Sequence, residues 1–541
     1  MSNRRAGVRL VGTMAILLLI AGAFTAPTAA SEPVSDRGRV LALWQSGGPV
    51  MRDAAGEALV GSDAAVREFL ETGQHGALNT DLRIRVNQMM AAGGRGVREA
   101  AQIALDDGST AALREFLETG HREPRLHDLR VAIFQILATA PEGSRLREVA
   151  GMTLDANTEE AFERFLETGQ HEARETDNRI RTAQLLSGGG TRVSKAANAA
   201  LDEGTAAALR EFLESWLPVA QAWDEEARTV ADLAERAKQA AARNDTAAAR
   251  AAAAEARRTE QAAREAYGEG LSERERKGRA ESTQRKVAHE EAEEDRAQEA
   301  EEAAARQAEA DRLLAEAAAP DADRETVVGN GRRVALHVLS TGGPQAQTAA
   351  ETALAGTADQ VVAFVRTDLA AAQERDDRER VSRIAAETDI PAERAAAEAA
   401  LAGSYAEVKE FLRTRWYEGK DHDVRIAILR MLPDAGPALR DDANEALDGS
   451  YQDQLEFLET GQYVAREHDL RIRVLQTISP GGPEVEAAAQ IALDGPPAAL
   501  REFLDIHQPR AEIRDNAATA HVAEVRRLVA EAEEAAQRSG Q

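Results

Sequence analysis

Ala65-Val66-Arg67-Glu68-Phe69-Leu70-Glu71-Thr72-Gly73-Gln74 is the stretch that decides how this chain reads. Its centre returns as Leu113-Arg114-Glu115-Phe116-Leu117-Glu118-Thr119-Gly120, then around Phe165 and Phe212. After a gap it resumes around Phe364, Phe411, Phe457 and Phe503. The Phe-to-Phe steps are 47, 49 and 47 residues in the first block and 47, 46 and 46 in the second. A Leu stands ten or eleven residues before each Phe: Leu59, Leu105, Leu154, Leu201, Leu354, Leu401, Leu447 and Leu493. An Asp stands twelve after each: Asp81, Asp128, Asp177, Asp224, Asp376, Asp423, Asp469 and Asp515. A fixed period of this length marks a repeat array.

Each unit reads as three short helices. The first is expected to start at the Asp, as in Asp81-Leu82-Arg83-Ile84-Arg85-Val86-Asn87-Gln88-Met89-Met90, where Val86, Met89 and Met90 share a face. Gly93-Gly94 is expected to stop it, as Gly47-Gly48, Gly342-Gly343 and Gly481-Gly482 would elsewhere. The second runs from Val97 to Leu105; the third carries Val66, Phe69 and Leu70, with Gly73 as its stop. No segment alternates with period 2, so strands are not expected. A three-helix unit of about 47 residues buries its apolar face only by stacking on neighbours. The fold class is therefore all-α: two α-solenoid blocks of four repeats each. Each Phe is a core anchor, and each Asp is read as an N-cap. The Arg two residues after the Asp (Arg83, Arg130, Arg179, Arg378, Arg425, Arg471) is replaced only at Glu226 and Ala517, where a block ends. It is expected to reach a helix end or a Glu of the following unit.

The chain has 541 residues, of which 43% are hydrophobic, but 113 are alanine, which buries little area. One large core is thereby excluded. Residues 225–319 are the extreme case, with high helix propensity and few large apolar side chains. Glu260/Arg264, Glu273/Lys277, Glu275/Arg279, Glu281/Arg285 and Glu302/Arg306 are i,i+4 pairs. With a turn at Tyr267-Gly268-Glu269-Gly270, this arm becomes a helical hairpin with arms of about 70 Å. A solvated single helix is the other form, and self-association through the arm is a further possibility. The acidic run Glu290–Glu302 reads as a solvated face. The organisation is a signal peptide at 1–30, repeats at 31–224, the arm at 225–319, repeats at 320–515, and a charged helix at 516–541.

Arg4, Arg5 and Arg9, then apolar Val11 to Phe24, then Thr28-Ala29-Ala30, order themselves as an export signal cleaved before Ser31. The expected location is extracellular, with no membrane span after cleavage. The chain has no Cys, which excludes disulfides and a lipid anchor on Cys. Cleavage would leave 63 basic against 93 acidic side chains, a surface that disfavours nucleic acid as a partner.

The residues offer no catalytic, cofactor-binding or metal site. His171-Glu172 and His289-Glu290 lack the second His of a zinc helix. His-Asp pairs at 127–128, 422–423 and 468–469 share one repeat position, so they are strung along the array and do not converge. Gly93-Gly94-Arg95-Gly96 follows a helix and not a strand, unlike a phosphate loop.

The phrase Arg-Glu-Phe-Leu-Glu-Thr-Gly-Gln, followed by Asp-Leu-Arg-Ile-Arg-Val, resembles the alanine–leucine–phenylalanine (ALF) short repeats. The likeness covers 36–224 and 326–515. It implies a secreted protein of a high-G+C Gram-positive bacterium, and a role in signalling has been suggested for the family. It assigns no functional residue and no cofactor. The reading is a secreted, non-catalytic scaffold whose partner is a protein or a cell-envelope component. The delivery part of a toxin system, or an enzyme with an unrecognised carboxylate pair, are the alternatives.

Overall fold

A computed structural model describes residues 35–539, so the expected signal peptide lies outside the described residues. Among the described residues there are helices and turns and no strand. The first repeat sets the pattern: helix A is Asp36–Ser46, helix B Pro49–Val60 and helix C Asp63–Glu68. All eight repeat phenylalanines are buried, as Phe116 is with Leu113 and Val97 and Phe457 with Leu439 and Leu447.

Gly73 does not stop helix C. The chain passes Phe69–Gly73 in one wide π-type turn, in which Gln74 N–H donates to Phe69 O, and runs straight on as Gln74–Ala92. Helix C of one repeat and helix A of the next are thus one continuous rod. Repeats 1, 3 and 7 build that turn from the phrase Phe-Leu-Glu-Thr-Gly-Gln. Widening leaves carbonyls without their usual partners, and side chains take them. Thr72 Oγ1 donates to Glu68 O at 2.9 Å, and Gln170 Nε2 to Leu166 O at 2.6 Å, as Gln74 does to Leu70 O. The turn occurs at every repeat Phe but Phe411. There Arg415 and Trp416 replace Gly and Gln, Arg415 turns left-handed (φ 48°), and the rod breaks before Lys420–Leu429.

The arm is a helical hairpin, but its turn is not at Tyr267–Gly270. It lies at Arg243-Asn244-Asp245, between Leu217–Ala242 and a single strut helix, Thr246–Ala318. Gly268 and Gly270 sit inside that helix, with open space where a Cβ would be. Two helical glycines cost only about 1 kcal/mol each against alanine, and the strong formers around them outweigh that. Asn244 (φ 56°) and Asp245, which caps Ala248, make the actual turn. The strut's 73 residues span roughly 110 Å at 1.5 Å per residue. Residues 290–309 are exposed on every side, as suits a helix that is polar all round.

The arm does not hold the two blocks apart at their ends. Repeats 1 and 5 share one core, in which Val40, Leu59 and Phe69 join Val334, Leu354 and Phe364, sealed by Leu313 and Ala317 of the strut. Helix A of each packs on helix B of the other, the exchange expected of a two-fold contact. At the other ends, Leu217–Ala242 packs against the final helix, Gln508–Arg538, and the start of the strut. The eight repeats therefore close into a ring, with the strut as a chord from the 4/8 junction to repeat 5.

Candidate functional surface

The recurring Asp and Arg define the frame. Asp81 is not the N-cap of its own helix; it lies well inside the rod, and only 5% of it is exposed. Its two carboxylate oxygens accept from Val50 N and Met51 N, both at 2.9 Å, in the first turn of helix B one repeat back. Asp128, Asp177, Asp224, Asp376, Asp469 and Asp515 do the same. The residue before helix B is usually Gly because the distant carboxylate fills its side-chain space. A Cβ at Gly48 would stand 2.6 Å from the Asp81 carboxyl carbon. Neither glycine of the Gly47-Gly48 pair turns left-handed, so close approach and not turn geometry is what selects them. Asp423 is the exception. Ile390 occupies the glycine position, and Asp423 accepts instead from Tyr417 Oη at 2.9 Å.

The Arg two residues on reaches forward. Arg378 Nη1 donates to Leu401 O at 2.9 Å, Arg425 Nη1 to Leu447 O at 2.9 Å, and Arg130 Nη2 to Asn157 Oδ1 at 2.6 Å, all at the C-terminal end of the following helix B. The expected bond to a helix end is there, but it stays within the Arg's own repeat, from helix A to the end of helix B, and does not cross to the following unit. Asp-x-Arg on one rod thus holds the start of one helix B and the end of the next. Of the three His-Asp pairs, Asp128 and Asp469 cap a helix B, and Asp423 accepts from Tyr417 Oη.

The 4/8 junction carries charge and aromatic rings that the sequence reading missed. Trp216 and Trp223 meet edge-to-face at 5.2 Å, and His521 stacks on Trp223 at 4.9 Å. His521 Nε2 lies 2.7 Å from buried Glu226. Arg510 pairs with Glu203 and Glu211, and Arg514 with Glu211. Burial alone would push the Glu211 carboxyl up, but Arg514 and Arg510 outweigh it and hold it below the ordinary range. The hydrogen bond from Arg510 likewise holds Glu203 low. Two tryptophans within eight residues, in a chain with four, was the available signal. A cavity of about 290 Å³ opens beside Trp216, Trp223 and His521, with the Arg192–Glu524 ion pair (2.7 Å) on its wall.

The strut packs on helix B of repeat 8. Tyr267 Oη and Arg274 Nη2 both donate to Glu484 Oε1, at 2.9 and 2.6 Å, and burial together with the Glu484 charge pushes the Tyr267 phenol up. Arg279 Nε donates to Asp494 Oδ2 at 2.5 Å. Among the described residues, no three His, Asp or Glu side chains converge as metal ligands would, and no helix is long and apolar enough to cross a membrane.

Rods, capped B helices and ring closure together define an α-solenoid of three-helix repeats. Residues 37–77, 83–124, 130–173, 179–220, 332–372, 378–418, 425–465 and 471–511 each match ALF, short repeats of unknown function. The chain belongs to that family. No curated protein matches it.

Proposed function

We propose that the chain is a secreted, non-catalytic binding scaffold whose partner is a protein or a cell-envelope component. The observation that carries this is how the repeated polar residues are used. The Asp and Arg of the repeats hold helix ends, and the phenylalanines fill cores. What varies from repeat to repeat is the outer surface, the part an array offers to large partners. The extracellular location rests on the basic, apolar, small-residue order of residues 1–30. The test is a crosslinking pull-down with residues 31–541 from native supernatant and envelope fractions. A specific partner, with a mature N-terminus at Ser31 in the supernatant, is the expected result. No partner in either fraction, or hydrolysis of a substrate panel by the purified chain, would overturn the reading.

A further inference from the structure

The capping aspartates align helix B of repeats 2, 3 and 8 residue for residue. Val97, Leu146 and Val485 each donate to Oδ2 of Asp128, Asp177 and Asp515. Six positions on stand Ile103, Met152 and Ile491, and nine positions on stand Asp106, Asp155 and Asp494. The three segments read Ile-Ala-Leu-Asp, Met-Thr-Leu-Asp and Ile-Ala-Leu-Asp. The other five repeats carry Glu57, Ala199, Thr352, Ala399 and Glu445 at the apolar position.

In repeat 8 this face is covered by the strut. A Cβ on Gly278 would stand 2.5 Å from Ile491 Cδ1, so glycine lets the two helices meet. The next residue, Arg279, pairs with Asp494. In repeats 2 and 3 the same face is bare: Ile103 is 72% exposed and Met152 62%. Asp106 and Asp155 are exposed beside them.

We propose that the helix B faces of repeats 2 and 3 dock an α-helix of a partner protein, built as the strut is. A small residue would lie on Ile103 or Met152, and an arginine next to it would reach Asp106 or Asp155. The docked strut shows which helix chemistry this surface accepts, and the aspartates supply the charge complement. Helix B of repeat 2 and helix B of repeat 3 each pack on the rod helix Arg122–Thr139 that lies between them, so the two faces are separate stations. The inference rests on the scaffold reading for the existence of a partner, and it names the surface and the partner's chemistry.

The probe is a stapled, fluorescent helical peptide of residues 270–286, titrated with chain 31–541 in about 150 mM salt to screen loose attraction to the acidic surface. Saturable binding is expected. Ile103→Glu with Met152→Glu should weaken it by about tenfold or more, the scale of losing an apolar anchor. Asp106→Arg with Asp155→Arg should weaken it too, and a peptide carrying Arg279→Glu should regain affinity for that variant. These side chains are exposed, so unchanged thermal melts check folding. No saturable binding overturns the proposal. So does binding indifferent to all four positions, which would place the peptide on repeat 8 in place of the strut. A partner recovered in the pull-down alongside either failure leaves the scaffold reading standing and removes this surface.

Discussion

Asp81 and Asp423 occupy one repeat position and do different work, which makes them a matched experiment. Removing the Asp81 carboxylate leaves Val50 and Met51 N–H unpaired in a buried place, at a cost of about 1–3 kcal/mol. Asp81→Ala should lower the urea midpoint and raise amide exchange at 50–52. Asp423→Ala caps no helix start and should change stability by much less; equal losses would contradict the assignment. Arg425→Ala removes the bond to Leu447 O and should cost about 1 kcal/mol, read as a lower melting temperature of repeats 6 and 7. The residue types here were legible and their direction was not. An Asp at a helix start and an Asp capping a helix some 30 residues upstream look alike locally. The usable sign was the Gly one place before helix B, 33 or 34 residues ahead of its Asp, with Ser144 and Ile390 as its two departures after repeat 1.

The rods and the strut test the two corrections to helix boundaries. If Gly268 and Gly270 lie in continuous helix, Gly268→Ala and Gly270→Ala should each stabilise by about 0.5–1 kcal/mol, since nothing crowds either site. They should also raise amide protection through 260–280. A turn there would instead be strained and lose protection. Gly268-Glu269-Gly270 reads locally as the turn, and the reading fails because glycine lowers helix propensity without ending a helix whose neighbours are Ala, Glu and Arg. The wide turn at Phe69–Gly73 escaped for the opposite reason. Gly73 looks like a stop, but it keeps right-handed helical geometry (φ −59°), and the Thr72 and Gln74 side chains bond carbonyls of the turn as the helix passes it.

Ring closure shows its pH dependence at the 4/8 junction. Glu203 and Glu211 titrate below their ordinary value of 4.5, so their stabilising charge is complete above that value. It is lost as pH falls through their lowered values. Small-angle scattering should show expansion in that acid range, and Glu211→Gln should reduce the pH dependence. Closure itself can be checked in a chain without Cys. Gln45→Cys with Glu351→Cys replaces a 2.7 Å bond between repeats 1 and 5, and a short bis-maleimide should join the two positions efficiently. An arc open between repeats 1 and 5 would leave them unlinked.

The period, the helical class, the buried phenylalanines and the ends of the array were all written in local spacing. Helical faces and turn residues act over a few positions, so a sequence displays them directly. The ring was not displayed. It depends on Trp44 and Leu336, or Glu211 and Arg514, meeting across about 300 residues, and each such pair reads locally as an ordinary apolar or charged residue. The alanine-rich composition allowed both a free arm and a chord. The apolar seam at Leu313 and Ala317, too thin to make a coiled coil, is enough to seal the core that repeats 1 and 5 share.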